Sequence, residues 1–218
     1  MKDTFHIVIV VLVIIAVGIG FFLGGWYIFR IRGNMPFSFM PGHQQGIASS
    51  INYINAAELK ALKKGDNRVE IDEKSNRIVF KENNITIPVI GAEHDENMEN
   101  KNNMGLFFEV FGLKNPDIIV PINARITLMF INEDEDMVHG VLITEDSPPF
   151  STMGMMMNTS LAFNNGFVRP LPEARENRYP ELSNSFLAGK SGSYYYICQV
   201  PEHANSGMYG RFIVKDNL

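Results

Sequence analysis

Two regimes of hydrophobic patterning divide the chain. Residues 7–29, IVIVVLVIIAVGIGFFLGGWYIF, form an apolar run with no charge and no alternation. Its 23 residues, at about 1.5 Å each in a helix, span a hydrocarbon layer of about 30 Å with some tilt. Trp26 and Tyr27 stand at its exit, where amphipathic rings favour the headgroup layer, and Arg30 and Arg32 follow. The run exceeds the apolar stretch of a cleaved signal peptide, and no A-x-A site comes after it. The pattern therefore predicts a retained single-pass anchor over 7–29 behind a short segment, 1–6; the flanking charges lean slightly towards a cytoplasmic C-terminal part, and only the site chemistry below makes 1–6 the cytoplasmic end. Gly20 and Gly24 form a GxxxG, but glycines are common in such spans, so self-association is the weaker reading.

Beyond the anchor the pattern changes. Residues 30–54 mix Gly, Pro, Ser and Gln without periodicity and read as a tether; His43 within it reads as solvated. Asn55 is placed to cap a short helix, AAELKALKK, that Gly65 would end. From there short β-type runs dominate: 68–71, 77–80, 86–90, 106–111, 118–120, 126–130, 138–143, 194–197 and 211–214. Ile126, Leu128 and Phe130 alternate as a half-buried strand should. Between 93 and 103 lies an acidic, Asn-rich loop in which His94 stands beside Glu93, Asp95 and Glu96. A solvated loop is the better reading there than a metal site. Many short strands with few helices predict an all-β sandwich over 55–218.

Composition narrows the chemistry. The 218 residues carry 19 basic and 24 acidic side chains, five His and a single Cys, with mean hydropathy near zero. One Cys excludes a disulfide framework, a multi-thiolate zinc site and a CxxCH haem attachment. Five His are too few for a multicopper oxidase. GxGxxG, P-loop, HExxH and GxSxG signatures are absent. Without residues 1–32, which hold Lys2, Asp3, Arg30 and Arg32, the net charge goes from −5 to −7. An acidic soluble domain of this kind is no nucleic-acid binder.

The remaining candidate chemistry is concentrated near residue 200. Cys198, His203 and Met208 stand at C-x4-H-x4-M spacing between two strand-like runs, and His139 lies upstream in another. Two imidazoles, one thiolate and one thioether are the donor set of a mononuclear blue-copper electron-transfer site. Thiolate and thioether suit Cu(I), and imidazole is acceptable to Cu(II) as well, so one arrangement serves both states. Chance placement of these residue types at this spacing is the poorer account.

The stretch Gly192-Ser-Tyr-Tyr-Tyr-Ile-Cys-Gln-Val-Pro-Glu-His-Ala-Asn-Ser-Gly-Met-Tyr-Gly-Arg-Phe-Ile-Val-Lys215 resembles the C-terminal strand–loop–strand of the rusticyanin-type blue-copper proteins, and Asn115-Pro-Asp-Ile-Ile-Val-Pro through His139 resembles their earlier strands. The anchor joined to such a domain is similar to the sulfocyanins. The resemblance implies a cupredoxin Greek-key sandwich and one type 1 copper. It implies His139 and His203 as imidazole ligands, Cys198 as the thiolate and Met208 as the axial ligand. It further implies one-electron transfer outside the cell membrane to redox partner proteins, a cytochrome or a terminal oxidase, with no small-molecule substrate.

Two positions depart from the family pattern. Glu202 stands where Pro-Gly-His is usual, and Gly140 stands where Asn or Ser usually braces the Cys loop. Neither change removes a ligand. The methionine run 153–157 reads as apolar packing or rim before it reads as copper handling. An electron carrier is thus the expected function, with copper binding and delivery as the alternative. A copper nitrite reductase would need a further set of histidines that the chain lacks.

Overall fold

The structure is a computed structural model that describes residues 50–65, 68–92, 105–150, 160–216 and 218. The expected anchor at 7–29, the tether up to residue 49, the His94 loop and the methionine run 153–157 lie outside the described residues. Among the described residues no helix is long and apolar enough to cross a membrane.

In chain order the elements are β1 (Asn52–Asn55), α1 (Ala56–Lys63), β2 (Val69–Asp72), β3 (Arg77–Phe80), β4 (Asn84–Ala92), β5 (Phe107–Val110), β6 (Leu113–Lys114), β7 (Asp117–Pro121), β8 (Arg125–Asn132), β9 (His139–Thr144), β10 (Phe167–Leu171), β11 (Arg178–Leu187), β12 (Gly192–Ile197) and β13 (Tyr209–Lys215). They form two mixed sheets, ordered β1-β11-β8-β4-β5-β6 and β10-β9-β12-β13-β7-β3-β2. Pairing is parallel for β4 with β8, β3 with β7 and β7 with β13, and antiparallel elsewhere. This is the expected β-sandwich.

Alternation drives the packing. In β8, Ile126, Leu128 and Phe130 turn inward and are buried. They meet Ile87 and Val89 of β4, and Val141 and Ile143 of β9, in one core cluster. Phe130 is 0% exposed, so truncating it to Ala would cost about 3–5 kcal/mol. Ile131 and Ile90 point to the opposite face and are buried there by Leu59 of α1. The helix forms because Asn55 Oδ1 accepts the N–H groups of Ala57 and Glu58, while Glu58 Oε2 accepts the Asn55 N–H, a complete capping box. Gly65 follows at φ +77°, in the left-handed region where glycine commonly ends helices.

Four strands differ from the sequence expectation, the two-residue β6 at Leu113–Lys114 being the shortest. Asn52–Asn55, expected as the end of the tether, pair with β11. β10 and β11 were not foreseen; β11 pairs with β8 over seven positions from Glu181↔Ile131 to Leu187↔Arg125. Its prolonged polar stretch hides that only Leu182 and Phe186 enter the main core.

The sandwich positions the candidate ligands at one end of the core. Strand β9 is antiparallel to β12, with Leu142 opposite Ile197, so the start of β9 lies beside the end of β12. β12 and β13 form a hairpin whose last pair is Ile197↔Tyr209. Everything between those two residues is the connecting loop, and it carries Cys198, His203 and Met208.

Candidate metal centre

The loop is closed at its neck by Cys198 N–H donating to Met208 O at 3.1 Å. Inside it, Met208 N–H donates to His203 O at 2.9 Å, Ser206 N–H to Glu202 O at 2.9 Å and Gly207 N–H to Ala204 O at 3.0 Å. These short-range bonds fold the loop back on itself and aim His203 at Cys198.

His139, the first residue of β9, completes the group. His139 Nδ1 lies 3.1 Å from His203 Nδ1. Cys198 Sγ lies 3.8 Å from His139 Nδ1 and 3.6 Å from His203 Nδ1. His139 and Cys198 are 0% exposed and His203 is 7% exposed. Residues 59 apart in sequence thus converge on one buried point. Met208 is 0% exposed and packs in the same core cluster as Cys198.

Burial sets the protonation of the donors. It pushes the Cys198 thiol up to about 11, against hydrogen bonding from the Gly140 and Val200 backbone that works the other way. It pushes His203 down to about 4, helped by His139 and opposed by Asp134. Near neutrality, therefore, His203 offers a lone pair, and the thiol must lose a proton to bind a metal.

The outer contacts were not visible in the sequence. Asp134 Oδ2 lies 2.9 Å from His139 Nε2, and both side chains are buried. Its other oxygen accepts the N–H groups of Asp136 and Met137 at 2.8 and 2.9 Å. Burial works to raise this carboxyl, but the His139 hydrogen bond and the two backbone donors outweigh it and hold it below its ordinary value. Asn132, 0% exposed, fixes the turn: its Oδ1 accepts Asp134 N–H, and its Nδ2 donates to the carbonyls of Met137, Leu171 and Pro172.

Three further side chains brace the loop. Asn115 Nδ2 donates to Gly207 O at 2.9 Å, while its Oδ1 accepts Phe108 N–H. Asn205 exchanges two hydrogen bonds with the Phe150 backbone, both 3.0 Å. Gln199 Nε2 donates to Val168 O of β10. The structure accounts for the first of the two departures from the family pattern, and at the second it shows why glycine is the usual residue. Gly140 is free of a side chain where Gln199 and Pro170 crowd in. Glu202 adopts φ +68°, a conformation glycine takes without strain.

Two nitrogens and one sulfur, buried and within 4.8 Å of one another, form a ligand group compatible with one copper ion. His43 and His94 fall outside the described residues, so no second group is built from them.

No family model matches the chain. Over 108 residues, half of its length, it is 37% identical to rusticyanin of Acidithiobacillus ferrooxidans and spans 66% of that protein. It is 35% identical to rusticyanin of Acidithiobacillus ferridurans and spans 54% of it. The chain thus spans between about half and two thirds of these relatives. The crystal structure of rusticyanin from Thiobacillus ferrooxidans superposes with a TM-score of 0.60 at 24% identity, covering 76% of this chain and 97% of that one. Reduced rusticyanin superposes with a TM-score of 0.60 at 23% identity, over 76% and 100%. The buried His139–Cys198–His203 group, the sandwich that carries it and the likeness to rusticyanin together identify the chain as a blue-copper protein of the cupredoxin type.

Proposed function

We propose that the chain is a membrane-anchored carrier of single electrons, with one type 1 copper held by His139, Cys198 and His203 and with Met208 as a weak axial ligand. The observation that carries this reading is the convergence of one thiol and two imidazole nitrogens within 3.1–3.8 Å in a buried, braced pocket. Bound there, copper supplies a one-electron couple. The protein's part is to hold the donors still. Cys198 contributes the thiolate and the shortest covalent route into β12. His203, at 7% exposure against 0% for the other two, is the donor nearest solvent and the exit for the electron. Asn115, Asn205 and Gln199 restrain the loop, so little rearrangement accompanies each transfer.

The domain works outside the reducing cytosol, with segment 7–29 as the anchor and the N-terminus cytoplasmic. Its partners are redox proteins, a cytochrome as donor or a terminal oxidase as acceptor. The charge run before and after 7–29 does not dictate this orientation; copper chemistry does.

Visible spectroscopy of the copper-loaded full chain tests the reading. An intense absorption from thiolate-to-Cu(II) charge transfer is expected, and Cys198→Ser removes it. A colourless protein that prefers Cu(I) would instead support copper delivery.

A further inference from the structure

The contact between Asp134 and His139 extends the centre beyond its donors. We infer that Asp134 is a positioning residue whose carboxylate accepts the Nε2–H hydrogen bond of His139, leaves Nδ1 bare towards the site, and holds a fixed negative charge that favours the oxidised metal. This rests on the copper reading for its second half; the first half concerns the metal-free protein as well.

Geometry fixes the tautomer. A carboxylate oxygen accepts and does not donate, so the 2.9 Å contact requires the proton on His139 Nε2. Nδ1 is then a lone pair, and it faces His203 Nδ1 at 3.1 Å and Cys198 Sγ at 3.8 Å. Metal-ligating imidazoles are commonly oriented in this way by a carboxylate on the far nitrogen, which also makes them better donors.

Asp134 is itself immobile. Oδ1 is committed to Asp136 and Met137 N–H, its own N–H to Asn132 Oδ1, and its carbonyl accepts Ala174 N–H at 2.7 Å. A carboxylate so tied cannot swing away when the metal changes charge. Nor is it neutralised by a neighbouring cation. Lys63, which reaches the adjacent Glu133, is bound to Glu133 and Glu109 at 2.7 and 3.0 Å, and among the described residues the basic side chain in contact with the Asp134 carboxylate is the imidazole of His139. The charge of Asp134 therefore acts on His139 and on what His139 holds.

The sign follows from Coulomb's law. A buried negative charge stabilises the state with more positive charge at the metal, Cu(II) over Cu(I), and so lowers the reduction potential. One unit charge acting across an imidazole at an effective dielectric of about 20–40 is worth roughly tenfold in the Cu(II)/Cu(I) ratio.

Two measurements on the full chain test the inference. In the metal-free protein, nitrogen-15 NMR should find His139 protonated at Nε2 and bare at Nδ1; the opposite tautomer overturns the proposal. In the copper-loaded protein, Asp134→Asn keeps the shape and removes the charge, and redox titration should show the variant's potential above the parent's, with the oxidised fraction at a fixed ambient potential falling roughly tenfold. An unchanged or lowered potential overturns the proposal. A parent that binds copper without the blue band refutes the electron-carrier reading instead, and the NMR result then decides the role of Asp134 alone.

Discussion

The amide of Gln199, the residue after Cys198, fills the space that a side chain on Gly140, the residue after His139, would need. A Cβ built on Gly140 collides with Gln199 Nε2 and comes within 2.8 Å of Pro170 N and 3.0 Å of Pro170 Cα. Where related proteins brace the Cys loop with a side chain at the 140 position, here the brace comes from the loop and lands on β10 at Val168 O.

Gly140→Ala should therefore destabilise the metal-free protein by about 1–3 kcal/mol, because the backbone of Pro170 cannot yield as a flexible side chain can. Gly140→Asn, although it restores the usual family residue, should do at least as much harm. Thermal denaturation of the metal-free proteins measures both. A neutral Gly140→Asn would mean that β10 moves away from β9 more easily than its packing suggests.

Glu202 carries a local cost of a different kind. At φ +68° a residue with a Cβ is strained, and glycine is not. Glu202→Gly should raise stability by about 0.5–1 kcal/mol, the relief of strain less the greater freedom of glycine in the unfolded chain. Chemical denaturation at neutral pH gives the number, and a loss of stability would show that the Glu202 side chain makes a compensating contact.

Met208 is proposed as a long, weak ligand, so Met208→Leu should retain copper and colour while raising the potential, since a donor to Cu(II) is lost. Met208 is wholly buried, and Leu has similar volume, so the fold should survive. Redox titration and copper stoichiometry read the two effects separately. Loss of copper would make Met208 a principal ligand.

Copper loading should release protons with a predictable pH dependence. The Cys198 thiol, at about 11, is protonated at pH 7, and His203, at about 4, is not. Binding as thiolate thus expels about one proton per site from Cys198, and apparent affinity should rise about tenfold per pH unit from neutrality up to about pH 11. Below pH about 4 the slope steepens, as His203 must also lose a proton. Calorimetry in buffers of different ionisation enthalpy counts the protons; a count near zero at pH 7 would mean that the thiol is already ionised.

The grouping of His139, Cys198 and His203 was legible because spacing and residue type suffice: Cys198 and His203 share one short loop, and His139 opens a strand that its apolar neighbours announce. The sandwich was legible in the alternation of Ile126, Leu128 and Phe130. β10 and β11 were not, since Pro170, Pro180 and the run Ser183-Asn184-Ser185 carry little apolar signal, and their place is fixed by neighbours far away in the chain. Asp134 was hidden for a related reason. It sits in the acidic run 133–136, which reads as a solvated turn, and Glu135 and Asp136 are indeed exposed. Nothing local distinguishes the one carboxylate that turns inward.

The division of the donors along the chain has a thermodynamic consequence. His203 lies 5 positions from Cys198, whereas His139 lies 59 positions away. An unfolded chain therefore retains Cys198 and His203 as a local pair of donors, and lacks the partner that sheet pairing brings in. Ligand binding stabilises a fold only by its preference for the folded state over the unfolded one. The tightening that bound metal gives this sandwich is thus set by His139 and the Asn132–Asp134 turn behind it, while the cysteine loop, which dominates the chemistry, contributes comparatively little to that difference.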